Sequence, residues 1–530
     1  MESLANFHDR QILRVRAVST HPHIIEKILE QSLVQSFLKT LTARKGNSPC
    51  PLKRIFEVYR GAPMAFGRQP KYLVPLLFIE LVRRLANGRR DFLVKEVLGY
   101  PPRARALVNT ARSIGTYGIT RPQIFYAPLM VVWNFTQACN LRCKHCYQNA
   151  GKTLPDELPL RKQLEIVEQM VDSDVAILAI SGGEPLLSPN ILPVARKAHD
   201  GGMYVTIATN GTLLTREMAR KLVDHGVEYV EISLDSVHPE KHNAFRGIDC
   251  WDRVVEGIKH AVAEEWLKVG IATTITRMNI GELEDLIALA KELGVKCFNT
   301  FNFIPTGRGK EIIDQDITPP EREEMLRILW RHLQEEKIEI MSTAPQLGRA
   351  CLMYSYPEGI FATGHAGQGA GEGARTIAKY VGGCGAGRCY CAIQPNGVVT
   401  PCVYIPLEIG DLREKPLMEI WQDSEICRLL RNRTLLADHC GICQYRNYCG
   451  GCRARAYGYF HDLMEADPGC INNQEKWVCL KKAEHETSLD PALFWSGIGV
   501  PAKGADGTSG VGDDKVTIRS RGPLPRIKNF

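Results

Sequence analysis

The sequence has no long apolar run. A membrane-spanning helix needs ~20 consecutive apolar residues, and the best candidate, Leu73 to Ile79, is cut off by Glu80. A helix that crosses the bilayer is therefore not expected, which leaves a soluble or peripheral protein. The opening segment, MESLANFHDR, carries acidic residues and lacks an apolar h-region. A cleaved secretory leader is not expected, and the chain is placed in the cytoplasm, with peripheral contact at the inner face of the membrane as the variant reading. Internal repeats are missing too, apart from the β/α units described below. With 44% hydrophobic residues in 530 positions, the chain is not a disordered one; it buries a large core and divides into about three domains.

Cysteine, by contrast, is plentiful. Eighteen cysteines in a short secreted domain would mean disulfides, but in a long chain under thiol-reducing conditions they argue for metal ligation. Three stand together at Cys139, Cys143 and Cys146, and a second group runs from Cys384 to Cys470. The others (Cys50, Cys250, Cys297, Cys351, Cys427, Cys479) are scattered and read as ordinary thiols. Charge is uneven as well. Residues 1–125 carry 21 Lys and Arg against 8 Asp and Glu, or +13, and the overall +7 leaves about −6 for the remainder. That basic half suits an anionic partner, and a solvated basic face is the plainer alternative.

Apolar residues recur at helical spacing through Ile24, Ile25, Ile28, Leu29, Leu33 and Phe37, and again through Leu77, Leu81, Val82 and Leu85. Residues 1–125 thus read as a helical basic N-terminal extension. From Leu129 the pattern changes to strand-like runs alternating with amphipathic helices: Leu129 to Phe135, Ala176 to Ser181, Tyr204 to Thr209, Tyr229 to Leu234, Val269 to Ile275 and Cys297 to Ile304. Six β/α repeats with right-handed crossovers make an α/β fold, a partial (β/α)6 barrel over residues 126–340, with chemistry at the C-terminal ends of the strands. A helix is expected near Pro320 to Gln334, a Gly-rich linker over 341–383, a small cysteine-rich domain over 384–480 and a flexible tail over 495–530.

The triplet Cys139-Asn-Leu-Arg-Cys143-Lys-His-Cys146 follows the first strand. Three thiolates can hold three irons of a 4Fe–4S cluster and leave the fourth iron open to another ligand. A structural zinc site would want a fourth protein ligand, and His145 is the only nearby candidate. The triplet resembles the signature of the radical S-adenosylmethionine (SAM) superfamily, C-x3-C-x-aromatic-C, with His145 at the aromatic position that borders the adenine. Further segments fit that resemblance in order. Ser181-Gly182-Gly183-Glu184-Pro185 resembles the GGEP segment, whose backbone and glutamate meet the amino group of SAM. Asn210 in Thr209-Asn210-Gly211, and Ser233 and Asp235 in Ser233-Leu234-Asp235, match positions near SAM and its ribose, and His242-Asn243-Ala244-Phe245-Arg246-Gly247 follows. The resemblance covers roughly residues 129–310. It implies reductive cleavage of SAM at the cluster, a 5′-deoxyadenosyl radical, and hydrogen abstraction from an unactivated carbon of a substrate.

The second cysteine group resembles the SPASM domain, which holds one or two auxiliary 4Fe–4S clusters. By that resemblance Cys384, Cys402 and Cys452 ligate one cluster, with Cys389 or Cys391 as fourth ligand, and Cys440, Cys443, Cys449 and Cys470 ligate another. Two residues separate Cys449 from Cys452 where the family usually has three, and the form CGGCRARAY is nearer the haem-pathway branch. A single zinc on Cys440, Cys443, Cys449 and Cys452 is the simpler alternative, disfavoured by the short gap between the pairs.

The resemblance implies an oxygen-sensitive oxidoreductase or transferase fed by a donor such as ferredoxin or flavodoxin, with no nucleic-acid partner. The basic helical extension suggests a membrane surface and hence a lipid or other hydrophobic substrate. The alternatives are a tetrapyrrole, from CGGCRARAY and DPGC, and peptide or protein maturation. A reading of another class is an iron–sulfur redox protein with no chemistry of its own, which would carry clusters yet release no 5′-deoxyadenosine.

Overall fold

The computed structural model describes residues 22–44, 48–63, 69–354, 359–362 and 368–487. Among the described residues six α-helices precede the first strand, α1 Pro22–Leu29, α2 Ser32–Thr42, α3 Pro51–Tyr59, α4 Gln69–Leu85, α5 Arg90–Phe92, which runs on into a π-helical turn Leu93–Val97, and α6 Pro101–Tyr117. The helical reading of the extension therefore holds for its described part, while residues 1–21 and the tail over 495–530 lie outside the described residues. Helix α6 starts on Pro101-Pro102, whose missing N–H groups cost nothing at a helix start, and stops at Gly118 in a positive-φ turn.

Seven parallel strands follow in sheet order: β1 Met130–Asn134, β2 Ile177–Ser181, β3 Tyr204–Thr209, β4 Val227–Ser233, β5 Lys268–Ile275, β6 Cys297–Asn302 and β7 Glu339–Ser342. The seventh was not expected. Four residues, Glu339-Ile340-Met341-Ser342, give too short a run for alternation to register; only pairing with β6 makes them a strand. The Gly-rich linker expected over 341–383 is also revised. It contains helices at Gln346–Tyr354 and Gly371–Val381 and a small hairpin, β8 Ile360–Ala362 with β9 Gln368–Ala370. Three further strands, β10 Tyr390–Ile393, β11 Val398–Thr400 and β12 Gly410–Asp411, extend the main sheet past β1, with β10 parallel to it. Thus the cysteine-rich segment continues the barrel's own sheet.

Each barrel strand divides its two faces in the same way. Val131, Trp133, Leu178, Ile180, Val205, Ile207, Val230, Ile232 and Ile271 are buried against the surrounding helices. The alternate positions, among them Ala179, Thr206, Ala208 and Ala272, face the lumen and are too small to fill it. A cavity of about 1430 Å³ results, running from the strand tops to the floor.

Helix α6 packs under that floor. Buried Arg105 donates to the carbonyls of Val175 (2.8 Å), Val171 (2.7 Å) and Gly201 (2.9 Å), and Arg112 and Lys53 both pair with buried Asp174, at 3.0 and 2.5 Å. Part of the extension's positive charge is thus consumed internally. On its outer side α4 exposes Leu73, Val74, Leu77 and Leu81. No helix among the described residues is long and apolar enough to cross a membrane.

A buried ionic joint ties barrel to C-terminal segment. Arg322 bonds Asn302 (2.7 Å) and Asp316 (2.7 Å), Tyr459 donates to Asp316 (3.0 Å), and Arg455 donates to the Phe303 carbonyl (2.9 Å). Asp467 accepts from the Cys452 amide (2.7 Å) and also bonds Gln346. Arg455 of CGGCRARAY and Asp467 of DPGC serve this joint.

Candidate active site and cluster-binding thiols

Cys139, Cys143, Cys146 and His145 all line the upper end of the cavity, in the loop that leaves β1. Backbone contacts shape the loop. The Leu141 amide donates to Cys139 Sγ (3.4 Å) and the Ala150 amide to Cys146 Sγ (3.4 Å). The helix Pro239–Arg246 supports it, through the Lys144 amide on the Phe245 carbonyl (3.0 Å) and the Arg142 amide on the Arg246 carbonyl (3.2 Å). Gly247 follows because a Cβ there would stand 2.6 Å from the Arg142 carbonyl oxygen. His145 stacks on Phe245 with ring centroids 4.1 Å apart, and burial first, then nearby Arg246, keeps its imidazole neutral.

Gly182, Gly183, Asn210 and Ser233 line the same end of the cavity. Gly183 lies so close to the triplet loop that a Cβ would stand 2.1 Å from the Ala138 carbonyl oxygen. Glu184, Pro185 and Asp235 do not line the cavity. Fully buried Glu184 accepts from Thr209 Oγ1 (2.8 Å), the Asn210 amide (2.8 Å) and the Leu186 amide (3.1 Å), so its carboxylate locks the ends of β2 and β3 together. Burial pushes its pKa up to about 7 against those three donors. Asp235 pairs with Arg246 at 2.6 Å and accepts from the Thr274 amide (2.9 Å).

Sequence reasoning did not assign Arg246 or Arg308. Arg246 reaches Cys143 Sγ at 3.7 Å, and Arg308 donates to the carbonyls of Cys143 (2.9 Å) and Ala150 (2.8 Å). The signal for the second was Pro305-Thr306-Gly307-Arg308-Gly309, a glycine-bearing turn just beyond a strand top. Gly307 is obligatory there, since a Cβ would stand 2.4 Å from the Cys146 carbonyl oxygen.

The C-terminal thiols fall into two sets. Cys384, Cys402 and Cys452 interact electrostatically and belong to one buried cluster, with Cys389 next to Cys384. Cys391 is not among them. It lies in β10 opposite Val131, packed in the main core against Cys427, while its strand neighbour Tyr390 faces the other way, toward Cys402, and Cys389 stands before the strand in the turn that begins at Gly385. The second set is Cys440, Cys449 and Cys470; Cys443, partly exposed, follows Cys440 at the end of the Asp438–Ile442 helix. Donors are already aimed at these sulfurs: the Gly451 amide at Cys449 (3.3 Å), the Arg455 amide at Cys452 (3.4 Å), Asn473 at Cys440 (3.6 Å) and the Tyr390 hydroxyl at Cys402 (2.8 Å). No three His, Cys, Asp or Glu side chains among the described residues converge on a single ion. A cubane site does not ask that of them, since each thiolate takes its own iron. Free thiols with N–H donors at their sulfurs fit iron–sulfur clusters in both regions.

A glycine-lined strand-top pocket beside three grouped thiols defines a radical enzyme that uses SAM. The chain belongs to the radical SAM superfamily: that family's model matches residues 133–310, and the model of the iron–sulfur cluster-binding SPASM domain matches residues 384–453. Its cofactors are SAM, the SAM-binding 4Fe–4S cluster and auxiliary clusters. Among curated proteins it is similar to the AdoMet-dependent heme synthase of Methanosarcina barkeri, 35% identical over 65% of this chain and 97% of that protein. The heme synthase of Nitratidesulfovibrio vulgaris is 31% identical over 64% and 91%, and the mycofactocin maturase MftC of Mycobacterium tuberculosis 29% over 66% and 84%. Among solved structures, Streptococcus suis SuiB bound to its precursor peptide SuiA aligns with a TM-score of 0.57 at 17% identity, over 80% of this chain and 93% of that one. That likeness shows the fold.

Proposed function

We propose that this enzyme modifies a tetrapyrrole, abstracting hydrogen from one of its unactivated carbons. The observation that carries the reading is the likeness to heme synthases, 35% identical over nearly the whole length of one of them. The cavity supports it, being large enough for SAM and a second flat molecule together, with the rings of Tyr147, Tyr404 and Phe301 on its walls. Tyr147 and Tyr404 lie 4.9 Å apart, so the C-terminal domain contributes to the substrate wall. When bound, the cluster and SAM supply the 5′-deoxyadenosyl radical. The chain's residues have three tasks around it. Cys139, Cys143 and Cys146 hold the SAM-binding cluster, with Cys384, Cys389, Cys402 and Cys452 on one auxiliary cluster and Cys440, Cys443, Cys449 and Cys470 on the other. Gly182, Gly183, Asn210, Ser233 and His145 seat SAM, and Glu184 and Asp235 fix the strand ends and Arg246. The barrel excludes water and stray reductants.

The membrane lipid expected as substrate gains no support from these relatives, which are heme synthases and maturases. The test is anaerobic: cluster-loaded enzyme, reductant and SAM are incubated with Fe-coproporphyrin III, with its metal-free form, or with candidate precursor peptides. Formation of 5′-deoxyadenosine and a mass change confined to a tetrapyrrole is expected, abolished by Cys143→Ala; turnover of a peptide alone refutes the reading. Ferredoxin or flavodoxin would be the electron donor. The exposed apolar face of α4 in a basic extension favours contact with an anionic bilayer, checked by co-sedimentation with phosphatidylglycerol vesicles.

A further inference from the structure

Midway down the lumen lies a polar pair that neither SAM nor the clusters call for. Glu231 is two residues before Ser233 on β4, so it faces the same way one step, ~7 Å, deeper in the barrel. Asn299 Nδ2 donates to its Oε1 at 2.8 Å, and Tyr229 Oη donates to the same oxygen at 3.3 Å. The strand between them gives room for this reach. Glu231 pairs with Gly270 and Asn299 with Ala272 on β5, and a Cβ at Gly270 would stand 2.1 Å from Tyr229 Oη.

Two oxygens are left over. Both bonds to Glu231 end on Oε1 and none on Oε2, and Asn299 Oδ1 is buried without a partner, the residue being 3% exposed. In this arrangement Asn299 Nδ2 is committed to the carboxyl group, which leaves Oδ1 for another donor. An orphaned buried acceptor is unfavourable unless something donates to it. Space for such a donor exists, since β3 places the small Ala208 opposite Glu231 and β2 contributes Ala179 to the same cavity. Nearby cations are committed elsewhere: Lys268 to Glu339 at 2.6 Å, Arg246 to Asp235, and Arg308 to backbone carbonyls. A bare carboxylate would meet oxygens and no counter-charge. A carboxylic acid, carrying its own proton, supplies the missing donor and accepts in return. Burial raises the pKa of Glu231, so it too can hold a proton to give.

We propose that Glu231 and Asn299 form a substrate-anchoring subsite that takes a carboxylic acid arm of the second substrate with its proton in place. The assignment rests on the tetrapyrrole reading and adds to it the point at which the macrocycle is held beneath SAM.

Equilibrium binding tests it without turnover. Metal-free coproporphyrin III, which bears carboxylic acid arms, is titrated anaerobically into the full-length, cluster-loaded enzyme and followed by its absorption band. Its tetramethyl ester, with no acidic proton, is the comparison. Asn299→Ala and Glu231→Ala are expected to weaken the acid about tenfold or more while SAM affinity is unchanged. Glu231→Gln, which keeps a neutral hydrogen-bonding group, should retain most of the affinity, and the ester should bind weakly and be indifferent to all three changes. Should Glu231→Ala fail to fold, Asn299→Ala and the ester carry the test. Equal binding of the acid by wild type and Asn299→Ala, or of ester and acid by wild type, overturns the subsite alone. Failure of wild type to bind either porphyrin overturns the tetrapyrrole reading and the subsite with it.

Discussion

Arg246 shows how one side chain can govern a cluster site without ligating it. It joins a thiol, Cys143, to a carboxylate, Asp235, that is wholly buried. Arg246→Ala leaves that carboxylate buried without its counter-charge, and breaking such a pair costs about 3–5 kcal/mol. The expected outcome is a lower midpoint in urea denaturation together with less iron bound after anaerobic reconstitution. Replacement by Lys should restore part of the stability but less of the iron, since a point charge does not reproduce the guanidinium's reach to both partners.

At the scale of elements, the contact between α6 and β4 makes stability depend on pH. Tyr100, at the N-cap of α6, donates to Glu228 at the start of β4 at 2.5 Å, closing the barrel floor. Burial raises the pKa of Glu228 from 4.5 to about 7, with the Tyr100 bond opposing the rise. A carboxyl group that binds its proton more tightly when folded contributes stability that is full below pH 4.5 and lost as pH rises through 7. Glu228→Gln, which can still accept from Tyr100, should therefore raise the melting temperature at pH 8. The gain, roughly 1–3 kcal/mol, should shrink as pH falls toward 5, and thermal denaturation at pH 5, 6.5 and 8 measures it.

Across the whole molecule, the cysteine-rich segment is part of the barrel's sheet, and that continuity decides which thiols can reach a cluster. Strand β10 pairs with β1 and turns Cys391 into the main core, while Cys389, just before the strand, stays beside Cys384. Cys389→Ser should therefore remove much of one auxiliary cluster's iron and sulfide, whereas Cys391→Ser should leave both and lower only stability, by the cost of a buried hydroxyl, about 1–3 kcal/mol. Iron and acid-labile sulfide per chain, with melting curves, separate the two.

Much of this protein was legible in its residues, because the relevant chemistry is local. Six strand runs were readable from apolar periodicity, and the thiol triplet, Gly182-Gly183 and Asn210 from short motifs whose parts sit within one loop. What escaped was whatever depends on distant segments meeting. The four-residue β7 exists only through its neighbour β6, and Gly183 is explained only by the Ala138 carbonyl it passes. The bonds that Glu184 and Asp235 accept come from β3, β5 and the helix Pro239–Arg246, and no short motif announces such partners. The turn of Cys391 into the main core, and the pairing of Glu231 with Asn299 across β5, follow from strand register. A one-residue difference along a strand reverses the direction of a side chain, and nothing in the linear order states which strands will lie side by side.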